Sequence, residues 1–157
     1  AVESINKLTD VMSQEKVEQF LIPCIARLSQ GGWFTSRSSA AGLYAKAYQK
    51  SSPETQEQLL AGYERLCDDE TPMTRRSAAE GLVSLIPNAE QYLETFAIPC
   101  FKKLAQDDQD SVRLLAIEPF IVIGKILTEK DAWQKFRERE EFVDEIFKLC
   151  QDKSWRV

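Results

Sequence analysis

The residue types that do chemistry most readily are sparse in this chain. It has 157 residues, no histidine and four cysteines, Cys24, Cys67, Cys100 and Cys150. Zinc sites gather Cys and His ligands, often as CxxC pairs, and no CxxC occurs here. The cysteines fall instead at fixed places in a repeating pattern. Cys24 and Cys100 both follow Ile-Pro, and Cys67 and Cys150 both follow a leucine. They therefore read as small buried helix residues with free thiols. Free thiols suit a reducing compartment, the cytoplasm or nucleus. No metal and no cofactor is expected. The carboxylate pairs Asp68/Asp69 and Asp107/Asp108 fall in polar turns, where solvation keeps carboxylates charged. A carboxyl poised for acid–base work needs burial or like-charge crowding. There is also no Gly-rich phosphate loop and no GxSxG. No catalytic residue is assigned, and the chain reads as a non-enzyme.

The charged residues that recur are arginines. Arg37, Arg75 and Arg113 are evenly spaced, each just after an acidic or polar turn. They form either a structural ladder or a row of partner contacts. In the ladder, each arginine bridges to turn carboxylates such as Asp69 or Asp108 of its own or a neighbouring unit. Repetition at one position favours the ladder, because a stacked array brings equivalent positions into register.

The elements that carry these residues repeat as well. Leu28, Leu66 and Leu104 recur at the same interval as the arginines, and so do Ala40, Ala78 and Ala116. A repeat of about 40 residues that reads as helix pairs marks an α-solenoid. The predicted fold is all-α, a right-handed, armadillo-like α-solenoid of HEAT repeats built from antiparallel helix pairs. Such a fold offers an extended surface before it offers a pocket, and it points to protein–protein interaction. The expected units are the end of a truncated repeat over 1–12, repeats over 13–50, 51–87 and 88–128, and the start of a further repeat over 129–157. The chain thus reads as an excerpt of a longer array.

Within each unit a helix A, a turn and a helix B are expected. Val17, Phe20, Leu21, Ile25 and Leu28 form one apolar stripe at helical spacing. Gln30-Gly31-Gly32 ends that helix with a left-handed glycine cap, and helix B runs from about Phe34 to Gln49. Ser52-Pro53 and Thr71-Pro72 are cap-plus-proline starts. The helix between them reaches about Cys67. Asn88 with Gln91 reads as a capping box for the third helix A, which carries Leu93, Phe96, Ala97, Cys100, Phe101 and Leu104. Its helix B spans about Ser111 to Leu127. Pro23 and Pro99 lie inside A helices, where proline removes a hydrogen bond and bends the helix, and Pro119 predicts a bend in a B helix. The interval from Leu104 to Leu149 is longer than the repeat, so extra residues enter near Lys130–Glu141. The i,i+4 pairs Asp131–Lys135 and Arg137–Glu141, with Trp133 and Phe136, suit a longer helix start there.

The bulk composition limits the partners. Net charge is −5 and no basic stripe is present, so a nucleic-acid groove is not expected. No apolar run approaches the length of a membrane span.

The unit-specific strings WFTSR (33–37), TPM-x-RR (71–76), QDSVRLLA (109–116) and DKSWRV (152–157) are more informative than the shared repeat positions. In this order and spacing they resemble the scaffold A subunits of serine/threonine protein phosphatase 2A, over essentially the whole chain. The resemblance implies a horseshoe of about fifteen repeats. It implies that the amino-terminal half, to which this segment is similar, receives an exchangeable regulatory B-type subunit, while later repeats hold the catalytic subunit. By motif, the implied partner-binding residues are Trp33, Phe34, Thr71, Pro72, Met73, Arg76, Asp110, Ser111, Trp155 and Arg156. The residues themselves leave alternatives. Trp33 and Trp155 either anchor a partner or plug the gap between repeats. Pro72 starts its helix and Met73 suits a core. Arg76 lies one residue past the ladder position and is the better contact. The extra residues and Pro119 depart from the family pattern. The alternative function is a HEAT adaptor in transport or translation.

Overall fold

The computed structural model describes residues 1–130, 139–154 and 156–157. Among them the chain is helical, with no strand. The first helix A is assembled from α2 (Gln14–Lys16), a π-helical turn (Val17–Leu21) and α3 (Ile22–Ser29), and α1 (Val2–Val11) precedes it. Its helix B comprises α4 (Phe34–Ala41) and α5 (Tyr44–Gln49), broken at Gly42-Leu43, and α1 packs on α5. The second pair is α6 (Pro53–Cys67) and α7 (Pro72–Leu85). The third helix A enters through a π-helical turn (Leu93–Ala97) into α8 (Ile98–Ala105), and its partner is α9 (Asp110–Glu129). Helix α10 (Arg139–Cys150) packs on both α8 and α9.

Each A helix packs on its own B helix, α3 on α4, α6 on α7 and α8 on α9. Units then stack like on like: α4, α7 and α9 form one layer, and α3, α6 and α8 the other. No helix of the described residues is long and apolar enough to cross a membrane.

The core runs between the layers. Ile25, Leu43, Tyr63, Leu66, Ala78, Leu82, Phe96, Phe101, Leu104 and Ala116 are buried in it. An aromatic chain links the units. Tyr44 meets Tyr63 edge-on at 5.1 Å, and Tyr63 meets Phe96 at 6.2 Å. Farther along, Phe142 stacks on Phe120 at 4.7 Å and meets Phe101 at 5.2 Å. Such pairs add stability beyond their buried area. Glycines make room for the tyrosines. A Cβ on Gly81 would lie 2.6 Å from the Tyr63 hydroxyl, and one on Gly62 would lie 2.9 Å from that of Tyr44.

The structure corrects several sequence expectations. Phe20 lies off the core and is exposed, whereas Phe96, at the same place in the other π-helical turn, is buried against Tyr63 of α6. The first A helix ends at Gln30 with φ −102°, and no glycine there adopts a left-handed conformation. Gly31 is needed for closeness instead, since a Cβ would come within 2.4 Å of Ser36 Oγ. The Asn88–Gln91 capping box does not form. Asn88 Oδ1, the acceptor a cap would use, takes a bond from Gln49 at 2.6 Å, and Gln91 donates to the Tyr48 hydroxyl. Ser52 and Thr71 occupy N-cap positions before Pro53 and Pro72 but make no side-chain cap bond. Only Cys67 and Cys100 of the four cysteines are buried. Cys24 is half-buried and Cys150 exposed, and all four are free.

The prolines of the A helices are accommodated by the π-helical turns. Pro23 and Pro99 each follow such a turn, in the first positions of α3 and α8. The equivalent position in α6 is Ala61, and α6 is an unbroken α-helix of 15 residues. Proline cannot supply the N–H that an α-helical turn requires there. Asp131–Lys135, Arg137, Trp133 and Phe136 lie outside the described residues. Glu141 pairs with Lys102 at 2.9 Å.

Candidate protein-docking ridge

The turns between A and B helices stack along one edge, and a continuous hydrogen-bonded ladder fixes them. Arg37 begins the ladder. Its Nε and Nη2 grip Asp69 of the next unit at 2.6 and 3.0 Å, a two-point fork. Its Nη1 donates to the carbonyls of Gly31 and Gly32 in its own turn. Arg75 repeats the arrangement on Asp107, at 2.5 and 2.8 Å, and on the Asp69 carbonyl at 2.9 Å. Arg113 repeats it on Asp152, at 2.6 and 2.8 Å, and on the Asp107 carbonyl at 2.8 Å. The last step is longer in sequence than the first two and closes with the same geometry.

Each aspartate also orders its own turn. Asp69, Asp107 and Asp152 accept the backbone N–H two residues on, from Thr71, Gln109 and Ser154, at 2.8 to 2.9 Å. The carboxylate thus closes a turn and receives the previous unit's arginine at once. Burial raises the Asp69 carboxyl, but bonds from Arg37 and Thr71 prevail and hold it below its ordinary range. Bonds from Arg113 and the Ser154 N–H hold Asp152 down at about 2. The three guanidiniums are raised, first by these carboxylates.

Two ladder partners were missed by sequence reasoning. Asp107, not Asp108, is the forked partner of Arg75; Asp108 takes a second bond at 2.7 Å from the exposed side. Asp152 closes the last step. The signal was present, since Asp107 occupies the same repeat position as Asp69, at the start of the Asp-x-Gln turn.

The ladder consumes its arginines and leaves other side chains outward. Trp33 is 80% exposed, so it does not plug a gap between repeats. Phe34 and Met73 are also exposed, and Met73 is not a core residue. Pro72 and Thr71 are half-buried, and Thr71 Oγ1 accepts from Arg37 at 3.1 Å, which places that side chain in the ladder. Arg76 is half-buried and has no ion pair or hydrogen-bonded side-chain partner among the described residues. Asp110, half-buried, accepts from Ser154 Oγ at 2.9 Å, beside the half-buried Ser111. Arg156 is exposed at the next turn. Trp155 lies outside the described residues.

The ridge therefore exposes apolar side chains, Trp33, Phe34 and Met73, in its first two turns and acidic ones in its second and third. Glu70 and Asp108 expose 85% and 75% of their side chains there. No group of three or more potential metal ligands exists among the described residues. Rigid turns that present an exposed tryptophan and a spare arginine are suited to protein contact, since such side chains anchor interfaces.

No protein-family model matches the chain. Among curated proteins, it is 37% identical over its whole length to the A-type regulatory subunit of protein phosphatase PP2A from Schizosaccharomyces pombe, covering 26% of that protein. It is 40% identical over 81% of its length to a Caenorhabditis elegans "Probable serine/threonine-protein phosphatase PP2A regulatory subunit", covering 22% of it. It is 30% identical over its whole length to the corresponding A-type protein of Saccharomyces cerevisiae, again covering 26%. The chain spans about a quarter of the length of these relatives.

Proposed function

The chain belongs to the A-type regulatory, or scaffold, subunits of protein phosphatase 2A, a family of HEAT-repeat solenoids, and from that premise we propose that it is a non-catalytic scaffold segment that docks a regulatory B-type subunit on its ridge of turns. The catalytic subunit is held by repeats outside this segment. The observation that carries the reading is the ladder. It spends buried arginine–aspartate forks on fixing the spacing of the turns while Trp33, Phe34, Met73 and Arg76 stay outward. Aromatic and arginine side chains held outward on a fixed ridge are the kind that anchor protein interfaces.

The mechanism is geometric. A stacked array presents successive turns to one partner, and a distant part of the same array holds the enzyme. Tethering raises the effective concentration of enzyme near whatever substrate the partner brings. We place the protein in the cytoplasm and nucleus, where thiols such as Cys24 and Cys150 stay reduced.

The test is affinity capture from cell extract with the full-length parent protein. Trp33→Ala/Met73→Glu/Arg76→Glu is compared with wild type. The expected result is loss of regulatory B-type subunits with the catalytic subunit retained. Capture of no phosphatase component by wild type would overturn the reading in favour of a HEAT adaptor for other cargo.

A further inference from the structure

A shallow groove recurs between consecutive A helices. Between α3 and α6 it is lined in part by Ser29, Gly62 and Arg65. One repeat further on, the equivalent positions are Cys67, Cys100 and Lys103, and these line the groove between α6 and α8. Serine and glycine at the first step cannot be cross-linked, whereas two thiols at the second can. Cys67 ends α6 and Cys100 lies in the first turn of α8, at 1% and 3% exposure. The same cavity is walled by Glu64 and Pro99, with Lys103 at its mouth. Its neighbour Cys100 and burial push the Cys67 thiol well above its ordinary range, while Lys103 pulls the other way. Such a thiol is slow to react at neutral pH, so its oxidation needs concentrated peroxide and long exposure.

We propose that Cys67 and Cys100 form a redox-modification site, joined by a peroxide into a disulfide that staples α6 to α8. One thiol loses its proton and its sulfur takes an oxygen from the peroxide, breaking the O–O bond and releasing water. The second sulfur then attacks the resulting sulfenic acid, and the hydroxyl leaves with the second thiol's proton as another water. Two thiols are oxidised by two electrons in total and one hydrogen peroxide is reduced. The staple fixes one step of the stack, and with it the spacing of the turns joined by Arg75 and Asp107. The half-buried Cys24 and the exposed Cys150 are internal controls, since neither lines this cavity.

The experiment treats the folded full-length protein with hydrogen peroxide, then adds catalase, alkylates free thiols and maps peptides by mass spectrometry without reduction. The expected result is a Cys67–Cys100 cross-linked peptide that dithiothreitol releases, with a Tm several degrees above that of the reduced protein. Cys67→Ser and Cys100→Ser, each read separately, lose both the peptide and the Tm rise. The proposal is overturned if Cys67 and Cys100 stay fully alkylatable on later denaturation. It is also overturned if they appear as separate sulfinic or sulfonic acids, if they pair with Cys24 or Cys150, or if the cross-link forms without a rise in Tm.

Discussion

Single side chains set the stability of the ridge. Arg75 and Asp107 expose 13% and 5% of their side chains. Arg75→Met leaves Asp107 buried without its partner, and breaking a pair of this kind costs about 3 kcal/mol. Urea denaturation of the variant should show that loss. Acid should act on the same bonds. Asp152 falls from its ordinary 3.8 to about 2 in the folded state. A depressed carboxyl lends stability that is present above its unfolded value and lost as pH falls through its folded one. Stability should therefore decline between about pH 4 and pH 2, and Arg113→Met should flatten that part of the curve. The glycines give a paired test. Gly81→Ala brings a methyl to 2.6 Å from Tyr63 Oη and 2.9 Å from the Ala41 carbonyl, whereas Gly32 has open space. Gly81→Ala should cost about 1–3 kcal/mol from overpacking, and Gly32→Ala should be neutral or stabilising by about 0.5 kcal/mol. Thermal unfolding of both variants separates the two outcomes.

At the scale of elements, helix starts and stops were readable where local chemistry decides them. Pro53 and Pro72 open α6 and α7, and Cys67 ends α6, as their local sequence implies. Local patterns failed where neighbours compete. Asn88 and Gln91 could cap a helix, but Gln49 donates to the Asn88 Oδ1 that a cap would use, and Gln91 donates to Tyr48. Phe20 fits the apolar stripe yet lies exposed, whereas Phe96, at the same place in the other π-helical turn, is buried against Tyr63 of the preceding A helix. That turn appears in the two A helices with an internal proline and is absent from α6, which has Ala61. Ala61→Pro should therefore cost about 3 kcal/mol in the unbroken α6. Chemical denaturation measures the loss, and backbone chemical shifts would show whether α6 takes up a π-helical turn to relieve it.

At the scale of the whole molecule, each unit touches only its neighbours, so damage should stay local. In Arg75→Met, amides of the turn at Gln109 and Asp110 should exchange faster with solvent. Amides of α3, on the far side of α6, should keep their protection. Uniform acceleration along the chain would show instead that the stack unfolds as one unit.

The amino-acid sequence by itself determined the periodic features. One constant interval places Leu28, Leu66 and Leu104, the three ladder arginines and the helix pairs, because each repeat meets the same physical demands as the last. Tertiary structure alone decided what faces what. The ladder's carboxylates come from the following unit, Trp33 and Met73 point outward, and Cys67 and Cys100 line one groove from two helices. Those relations depend on how one unit is rotated and shifted against the next, which is fixed by side-chain packing between helices distant in sequence. A period gives the spacing of equivalent residues along the chain, but not the rotation that brings them together.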